Sequence, residues 1–393
     1  RSTLFPYTTL FRSMTALLLL FVRSAMHKAE KKFFANASAL HTPGHLAMNE
    51  IENTRYRLAQ LIHAQPEEIF FTSGSSESNN TVINIFAHQP IAASVIEHHS
   101  ILEPLRTLSS CPIPIPIDNN GIICYNEEIW DLKPRLISIC LANNELGVIE
   151  PLTDWTKIAH NHHAFVHSDL TQALGKIDLD MQKLGLDYAT FSAHKIGGPI
   201  GVGALYVKKT APFQPLIRGG NQEQKRRGGT YNTIGIIGFG TALSHIKTIN
   251  STQIFATKIK QLRDSLAQHI LTKIPGASIN TPINQPNLPN ILNVSFSAAE
   301  GESIQLYLDA VGIVVSTGSA CASGDLEPSH ILMAKTGNAE VAHSSIRFSF
   351  GLENTEHDVD QVMSSLPQII HHLQQISTIK MKGTAVIDRK SVV

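Results

Sequence analysis

One short segment of the sequence holds a lysine in a setting that suits covalent chemistry. Lys195 stands within SAHKIGG, residues 192–198, directly after an apolar run and before a glycine-rich turn. A lysine in such a tight loop can be held away from water, which lowers its pKa and makes it a nucleophile toward a carbonyl group. The segment therefore predicts Schiff-base chemistry. Considered alone, an ordinary surface lysine is the more common explanation for such a loop.

Further polar side chains indicate which carbonyl compound this lysine would bind. The apolar run Ala164–Ser168 ends next to Asp169, and Gln172 follows about one helical turn later. A buried carboxylate is costly unless it meets a cation, and the pyridinium nitrogen of pyridoxal phosphate (PLP) is such a cation. Gln172 and Asn144 carry amide donors that suit the phenolic oxygen of the same ring. A helix N-cap is the alternative role for Asp169.

A second loop predicts an anion site. FTSGSSE, residues 71–77, follows an apolar run and opens a helix, so its N–H groups and the hydroxyls of Ser75 and Ser76 would face a single phosphate group. The loop lacks the lysine and the glycine spacing of nucleotide-binding loops. His98, at the end of the next apolar run, is a candidate for stacking on a flat ring, although a structural role is more common for one such histidine.

Alternating strands and helices must position these side chains. Helical spacing covers Met48–Ala64 and Thr153–His163, and short apolar runs lie between such stretches. The predicted strands are Glu68–Thr72, Ala92–Ile96, Leu136–Cys140, Ala164–Ser168, Tyr188–Phe191 and Gly203–Val207. This alternation predicts an α/β fold with a mostly parallel sheet covered by helices, which binds ligands beyond the carboxyl ends of its strands.

The pattern changes in the C-terminal third. Long helical segments follow residue 231, and a strand, a helix, a loop rich in small residues, a further strand and an amphipathic helix follow the Pro- and Asn-rich stretch at 281–290. We therefore expect a large domain over residues 14–245 and a smaller α+β domain over residues 246–387.

The two ends resemble translated DNA of a sequencing-library adapter. Residues 4–13 (LFPYTTLFRS) are encoded by one strand of such an adapter, and residues 388–393 (DRKSVV) by part of its reverse complement. We expect 1–13 and 388–393 to be of this origin, and Ala16–Val22 to be the damaged remainder of an N-terminal element. Leaving both ends out removes four basic residues and one acidic residue, which changes the formal charge from zero to −3.

Composition excludes several classes of protein. The 393 residues, 42% hydrophobic, are enough for one or two domains with real cores. The charge balance, with no run of Lys and Arg longer than three, argues against nucleic-acid and membrane-surface binding. The run Ala16–Val22 is too short to span a bilayer. Four scattered cysteines indicate a reducing compartment, and we expect a cytoplasmic protein.

Several other features favour structural roles. The histidines at positions 160, 162, 163 and 167 lack a partner at ligand spacing, so we expect no metal site. Lys225–Arg227 is too brief for a nucleic-acid patch. Cys111, Cys124 and Cys140 are predicted to be packing residues.

Eight segments between about residues 22 and 377 carry a resemblance to one family through their sequence, their order and their spacing. They are FTSGSSESNN (71–80), EH (97–98), LANNELG (141–147), HSDLTQALGK (167–176), SAHKIGG (192–198), GGT (228–230), STGSACASGDLEP (316–328) and SSIRFSFG (344–351). Together they resemble the signature blocks of NifS/IscS-type cysteine desulfurases, which are class-V aminotransferase-like enzymes. The resemblance implies the PLP-dependent transferase fold of type I and PLP as cofactor.

The resemblance also implies roles for individual residues. Lys195 would carry PLP and move protons, His98 would stack on the ring and assist those transfers, and Arg347 would clamp the substrate carboxylate. The remaining cofactor contacts would come from Ser75, Ser76, Asn144, Asp169, Gln172, Ser192, His194 and, reaching the phosphate of the other subunit in a homodimer, Thr230. Asn144 would also contact substrate.

Cys321 narrows the expected activity. It lies among small residues in a loop that permits motion, and a mobile thiolate can take sulfur from bound cysteine as a persulfide. The expected reaction converts L-cysteine to L-alanine and delivers sulfur to an acceptor protein, either an iron–sulfur scaffold or a tRNA-thiolation enzyme. A selenocysteine lyase, another class-V enzyme or a non-catalytic sulfur-transfer homologue are the alternatives.

The sequence departs from the family pattern in three places. Leu141 replaces a common histidine, and Ser76 replaces a common threonine but keeps the hydroxyl. An Asn-Ala-Ala-Thr-like block, which lies near the substrate in family members, is absent, and the segment of suspected adapter origin stands in its place.

Overall fold

The structure is a computed structural model that describes residues 9–10, 19–108, 112–318 and 327–377. Two compact units divide the chain. The larger unit holds residues 14–260 and 281–291, and the smaller holds residues 1–13, 261–280 and 292–393. The division predicted at 245/246 falls inside the helix Thr233–Thr248, and the contacts instead extend the larger unit to residue 260.

The helices and strands have the following bounds. The helices are α1 Leu20–Lys32, α2 Thr42–Ile62, α3 Ser75–Ile85, α4 His99–Arg106, α5 Glu128–Asp131, α6 Leu152–Asn161, α7 Met181–Leu184, α8 Thr233–Thr248, α9 Ser251–Ile254, α10 Lys260–Lys273, α11 Gly301–Ala310, α12 His330–Thr336, α13 Ala339–His343 and α14 Glu356–Ile376. The strands are β1 Thr9–Leu10, β2 Ile69–Thr72, β3 Ile91–Ser94, β4 Ile113–Ile115, β5 Leu136–Ser138, β6 Phe165–Asp169, β7 Tyr188–Ser192, β8 Gly203–Val207, β9 Ala277–Ile279, β10 Ile291–Phe296, β11 Ile313–Val314 and β12 Ser345–Ser349.

A seven-stranded sheet forms the centre of the larger unit. Its strand order is β2-β8-β7-β6-β5-β3-β4. The pairs from β7 to β4 are parallel, whereas β8 runs antiparallel to both β7 and β2. Strands β3, β5, β7 and β8 are buried along their whole length. Helices cover both faces of such a strand, which explains why these strands appear in the sequence as continuous apolar runs. The predicted α/β fold with a mostly parallel sheet is confirmed.

Helix α1 packs on α8 at the start of the larger unit. Val22 is fully buried, and the rings of Phe21 and His245 lie 4.5 Å apart. A Cβ atom at Gly238 would come within 2.8 Å of the sulfur of Met26, so the glycine permits the close approach of the two helices. The residues from 20 to 32 therefore form a packed helix, and the interpretation of Ala16–Val22 as a damaged remainder stays a prediction. The Leu19 N–H donates to the Gly197 carbonyl at 3.2 Å, which joins α1 to the turn that carries Lys195.

The smaller unit contains a three-stranded sheet in the order β12-β10-β9 and the helices α11 to α14. The buried amide of Asn280 joins the antiparallel strands β9 and β10 by donating to Asn293 Oδ1 at 2.8 Å and Ser295 Oγ at 2.7 Å. In the N-terminal segment predicted to be of adapter origin, the structure describes only Thr9 and Leu10, which pair with β11. The origin of that segment stays a prediction.

A search of the described helices finds none that is long and apolar enough to cross a membrane.

Candidate active site

The phosphate-binding loop predicted from the sequence lies where β2 meets α3. Gly74 adopts a φ of 150°, and α3 begins at Ser75. A Cβ atom at Gly203 on β8 would lie 2.7 Å from Gly74 Cα, so Gly203 permits the close approach of the two chain segments, whereas Gly74 is required by its positive φ. Ser75 is half-buried and Ser76 is exposed. The N–H groups of a first helical turn have no partner within their helix, so this turn is suited to hold an anion.

A second chain segment is joined to this loop by an ion pair. Glu77 in the first turn of α3 accepts the Ser73 N–H at 2.8 Å and binds the Arg227 guanidinium through two bonds of 3.0 and 3.2 Å. Burial raises the pKa of Glu77, but the bonds from Arg227 and Ser73 outweigh burial and hold that pKa below its usual value. Arg227 lies three residues before Thr230, whose side chain is exposed.

The same segment is anchored by a second ion pair. The buried carboxylate of Glu223 accepts two bonds from Arg55, at 2.7 and 3.0 Å, and one from the Phe71 N–H at 3.2 Å. The residues at 223, 224 and 225 all have positive φ, between 48° and 68°. Residues other than glycine adopt this backbone conformation at a cost in free energy, so the ion pair holds a strained turn in place. Lys225 and Arg227 therefore belong to a folded loop.

Asp169 lies at the carboxyl end of β6, and both of its oxygens accept hydrogen bonds. Oδ1 accepts the Thr171 N–H at 2.9 Å, and Oδ2 accepts the Asn79 amide at 2.8 Å. The bond to Thr171 resembles the capping role considered from the sequence, while the bond from Asn79 on α3 fixes the orientation of the carboxylate. Asn79 was not predicted as a site residue.

A chain of hydrogen bonds links Asp169 to His98. The Asn79 amide also donates to Ser100 Oγ at 2.8 Å, and that oxygen lies 2.8 Å from His98 Nδ1. The Ser100 backbone N–H donates to the same Nδ1 at 3.0 Å. Because a backbone N–H can only donate, Nδ1 is an acceptor and the proton of neutral His98 resides on Nε2. Burial, followed by the positive charges of Lys195 and His99, lowers the pKa of His98 against the opposing effect of Asp169.

Lys195 lies in a 3-10 turn, Ala193–Ile196, directly after β7. Next to it, Ser192 Oγ and His194 Nδ1 form a hydrogen bond of 2.7 Å. Burial and the positive charges of Lys195 and Lys176 lower the pKa of His194 to about 4. The imidazole is therefore neutral at neutral pH, and it can present one N–H to an anion without an ionic charge of its own.

Gln172 and Asn144 lie in loops at the same edge of the sheet. Gln172 is half-buried in the segment after β6, and its carbonyl and side-chain oxygen both accept from Lys176. Asn144 is half-buried after β5, in a turn held by Asn143, whose Oδ1 accepts the N–H groups of Glu145 and Leu146 at 2.8 and 2.9 Å. Strands β5, β6 and β7 are parallel neighbours, so their carboxyl ends meet there.

Two predicted site residues do not belong to the described part of the larger unit. Arg347 belongs to the smaller unit, where it is buried on β12 and its backbone pairs with Ser316. Cys321 lies outside the described residues. The structure therefore brings together in the larger unit the loops that carry the predicted PLP contacts, apart from the exposed Thr230, and the roles of all predicted site residues, including Arg347 and Cys321, stay predictions.

The histidines and cysteines that were predicted to have structural roles form ordinary contacts where the structure describes them. His160 bonds to Asp187 at 2.8 Å, His162 stacks on Trp130 at 4.3 Å, and His167 lies between Ser138 and Thr190. Cys140 is buried and Cys124 is half-buried, whereas Cys111 lies outside the described residues.

The sequence and the fold match known proteins over most of the chain. The family model for class-V aminotransferases matches residues 8–362. A cysteine desulfurase IscS from Dictyoglomus turgidum is 40% identical, with 94% of this chain and 95% of the relative covered. A solved NifS-like protein has a TM-score of 0.85 at 33% identity, covering 93% and 99% of the two chains. The solved SspA in complex with cysteine has a TM-score of 0.75 at 28% identity, covering 88% and 100%.

Proposed function

The chain belongs to the class-V aminotransferase family, and from that premise we propose that it is a cysteine desulfurase, the activity that the name of its relative IscS gives, and that it uses PLP. The observation that carries the proposal is the cluster at one edge of the sheet. It combines the helix N-terminus at Ser75, a carboxylate oriented at Asp169 and a lysine in a tight turn at position 195. The helix N-terminus would bind an anion, the carboxylate would pair with a cationic ring nitrogen, and the lysine would react with an aldehyde.

The donor set fits PLP in its chemistry. The first turn of α3, Ser192 and neutral His194 offer donors for a phosphate, and Asp169 offers a carboxylate for the protonated ring nitrogen. Asn79, which orients that carboxylate, keeps a buried Oδ1 that has no partner among the described residues. Bound PLP supplies a carbonyl for attachment to an amine and withdraws electrons from the attached substrate.

The residues of the chain then have distinct tasks. Lys195 holds the cofactor through its amine and moves a proton during turnover. His98 carries its proton on Nε2, and the network through Ser100 and Asn79 fixes the orientation of the ring. Asn144 and Gln172 donate to the phenolic oxygen. Arg347 would bind the substrate carboxylate with its planar pair of N–H groups.

Sulfur transfer is assigned to Cys321. Its thiolate attacks the sulfur of bound cysteine, and an S–S bond forms while the Cβ–S bond of the substrate breaks. The electron pair of the broken bond goes to carbon, which gains a proton to leave L-alanine. The resulting persulfide passes its outer sulfur to an acceptor protein, such as an iron–sulfur scaffold or a tRNA-thiolation enzyme.

A homodimer completes the proposal. Exposed apolar side chains on the larger unit support it, because Leu20, Phe34, Leu40 and Ile200 are each between 78% and 90% exposed. In the dimer, the loop ending at Thr230 would contribute to the phosphate site of the other subunit, and the ion pairs of Glu77 and Glu223 would hold that loop.

Two variants test the function. Lys195→Ala should abolish the absorbance of covalently attached PLP, because Lys195 supplies the amine to which the cofactor is attached. Cys321→Ser should keep that absorbance and lose sulfide release from L-cysteine in the presence of a reducing agent. Lys183→Ala and Cys124→Ser are the matched controls. Sulfide release at the unaltered rate in Cys321→Ser would contradict the persulfide role, and a strong preference for selenocysteine would indicate a lyase.

A further inference from the structure

A buried lysine lies next to the proposed cofactor site without a task in the proposed function. Lys176 is only 7% exposed. Its Nζ lies 2.8 Å from the carbonyl oxygen of Gln172 and 3.2 Å from the side-chain oxygen Oε1 of the same residue. Lysine is rarely buried to this degree because its charge loses hydration, so a buried lysine with specific partners calls for a physical explanation.

The chemistry of the two side chains determines how they face each other. The ammonium group of lysine has three donors and no acceptor, whereas the carboxamide of glutamine has an oxygen that accepts and a nitrogen that donates. Lys176 can therefore bond only to Oε1 of Gln172. The Nε2 group occupies the other branch of the planar amide and is directed away from Lys176. Without a cation at this position, the amide could turn over and present its oxygen in place of Nε2.

We propose that Lys176 is a positioning residue that fixes the carboxamide of Gln172, so that Nε2–H and not Oε1 faces the phenolic oxygen of PLP. The inference rests on the proposed function, which assigns that contact to Gln172. This role explains the presence of a lysine in the interior. An inverted amide would place Oε1 next to the phenolic oxygen, and two acceptors cannot form a hydrogen bond. The second bond, to the Gln172 backbone carbonyl, fixes the lysine relative to the loop that follows Asp169.

The surroundings of Lys176 are cationic. Burial, together with the positive charge of Lys195, lowers the pKa of Lys176 to about 7. Lys176 in turn helps to lower the pKa of His194. The neutral amine carries a lone pair and can accept from Nε2 as well as donate to Oε1, so it does not distinguish the two ends of the amide. Lys176 therefore orients Gln172 in its charged form, which has donors only.

The test compares PLP affinity in a double-mutant cycle. Apoprotein is titrated with PLP and the dissociation constant is measured by fluorescence quenching, for the unaltered chain, Lys176→Met, Gln172→Leu and the double variant. Methionine keeps the length of the side chain and removes the donor. Lys183→Met, at an exposed lysine, is the control. Loss of one oriented hydrogen bond should weaken binding about three- to tenfold in Lys176→Met.

Each outcome has one meaning. If Lys176 acts through Gln172, the Lys176→Met substitution should change the dissociation constant less than about twofold once Gln172 is leucine. The pH midpoint of the absorbance of bound PLP should also move in Lys176→Met, while the apoprotein should unfold at a temperature no lower than the unaltered chain. An equal loss in both backgrounds, an unchanged affinity, or a less stable apoprotein would overturn the positioning role. Failure of the unaltered chain to bind PLP would overturn the proposed function and this inference with it.

Discussion

Removal of Arg55 should destabilise the larger unit far more than removal of a surface arginine. The Arg55 and Glu223 side chains are only 7% and 2% exposed. In Arg55→Met, the Glu223 carboxylate would lose two bonds and keep the Phe71 N–H at 3.2 Å. A buried charge left without its counterion costs about 3–5 kcal/mol, whereas an exposed ion pair contributes about 0–1 kcal/mol. We expect Arg55→Met to lose about 3 kcal/mol of unfolding free energy.

Urea unfolding followed by tryptophan fluorescence measures this loss. Both tryptophans of the chain, Trp130 and Trp155, are buried in the larger unit, so their emission reports on the unit that holds the ion pair. Arg106→Met is the matched control, because Arg106 pairs with Glu103 at an exposed position.

The double variant Arg55→Met/Glu223→Leu separates an unpaired charge from lost packing. It removes the stranded carboxylate and should recover part of the stability lost in Arg55→Met. The reasoning would be refuted by an Arg55→Met protein within 1 kcal/mol of the Arg106→Met control, or by a double variant less stable than the sum of its single changes predicts.

Two further predictions concern the sheet and a buried acid. Gly203→Ala would place a Cβ 2.6 Å from the Phe191 carbonyl oxygen and 2.7 Å from Gly74 Cα. We expect this substitution to lower the unfolding free energy by about 1–3 kcal/mol and to weaken PLP binding. An unchanged urea midpoint together with an unchanged PLP affinity would contradict this prediction. Burial raises the pKa of Glu150 to about 8. The folded state therefore holds a proton that the unfolded state has released, and stability falls as pH rises from about 4.5 toward 8. Glu150→Gln should remove that fall, so its stability relative to the unaltered chain should rise between pH 5 and 8 by up to about 1.36 kcal/mol per pH unit, as urea unfolding at each pH would show. A difference between the two proteins that stays constant over this range would contradict the prediction.

The sequence predicted the central strands well because their burial on both faces gives continuous apolar runs. It missed β4, since Pro114 in the middle of the Ile113–Ile115 segment suggests a break. Proline lacks an N–H and is tolerated mainly on edge strands. In the described part of the chain, β4 lies at one edge of the sheet and pairs with β3.

The candidate site was predictable where a residue type and a strand end coincide, as at Asp169 and Lys195. The residues that hold these side chains in place were not predictable in the same way. Asn79 meets Asp169 from a position 90 residues earlier in the chain, and Glu223 meets Arg55 across 168 residues. Such pairs depend on the relative placement of whole elements, and no local spacing in the sequence encodes that placement. Lys176 had a local signal, since it lies four residues after Gln172, but burial distinguishes it from a solvated lysine.

The position of β2 at the edge of the sheet determines when the phosphate loop can form during synthesis. Among the described strands, its only partner is β8, which is made about 130 residues later. At about 5–20 residues per second, a ribosome needs roughly 6–26 seconds to make the intervening chain. Until β8 is made, β2 and the loop that follows it have no sheet to join. The larger unit can therefore acquire a cofactor only after most of it has been translated, although Asp169 and Lys195 are made before β8.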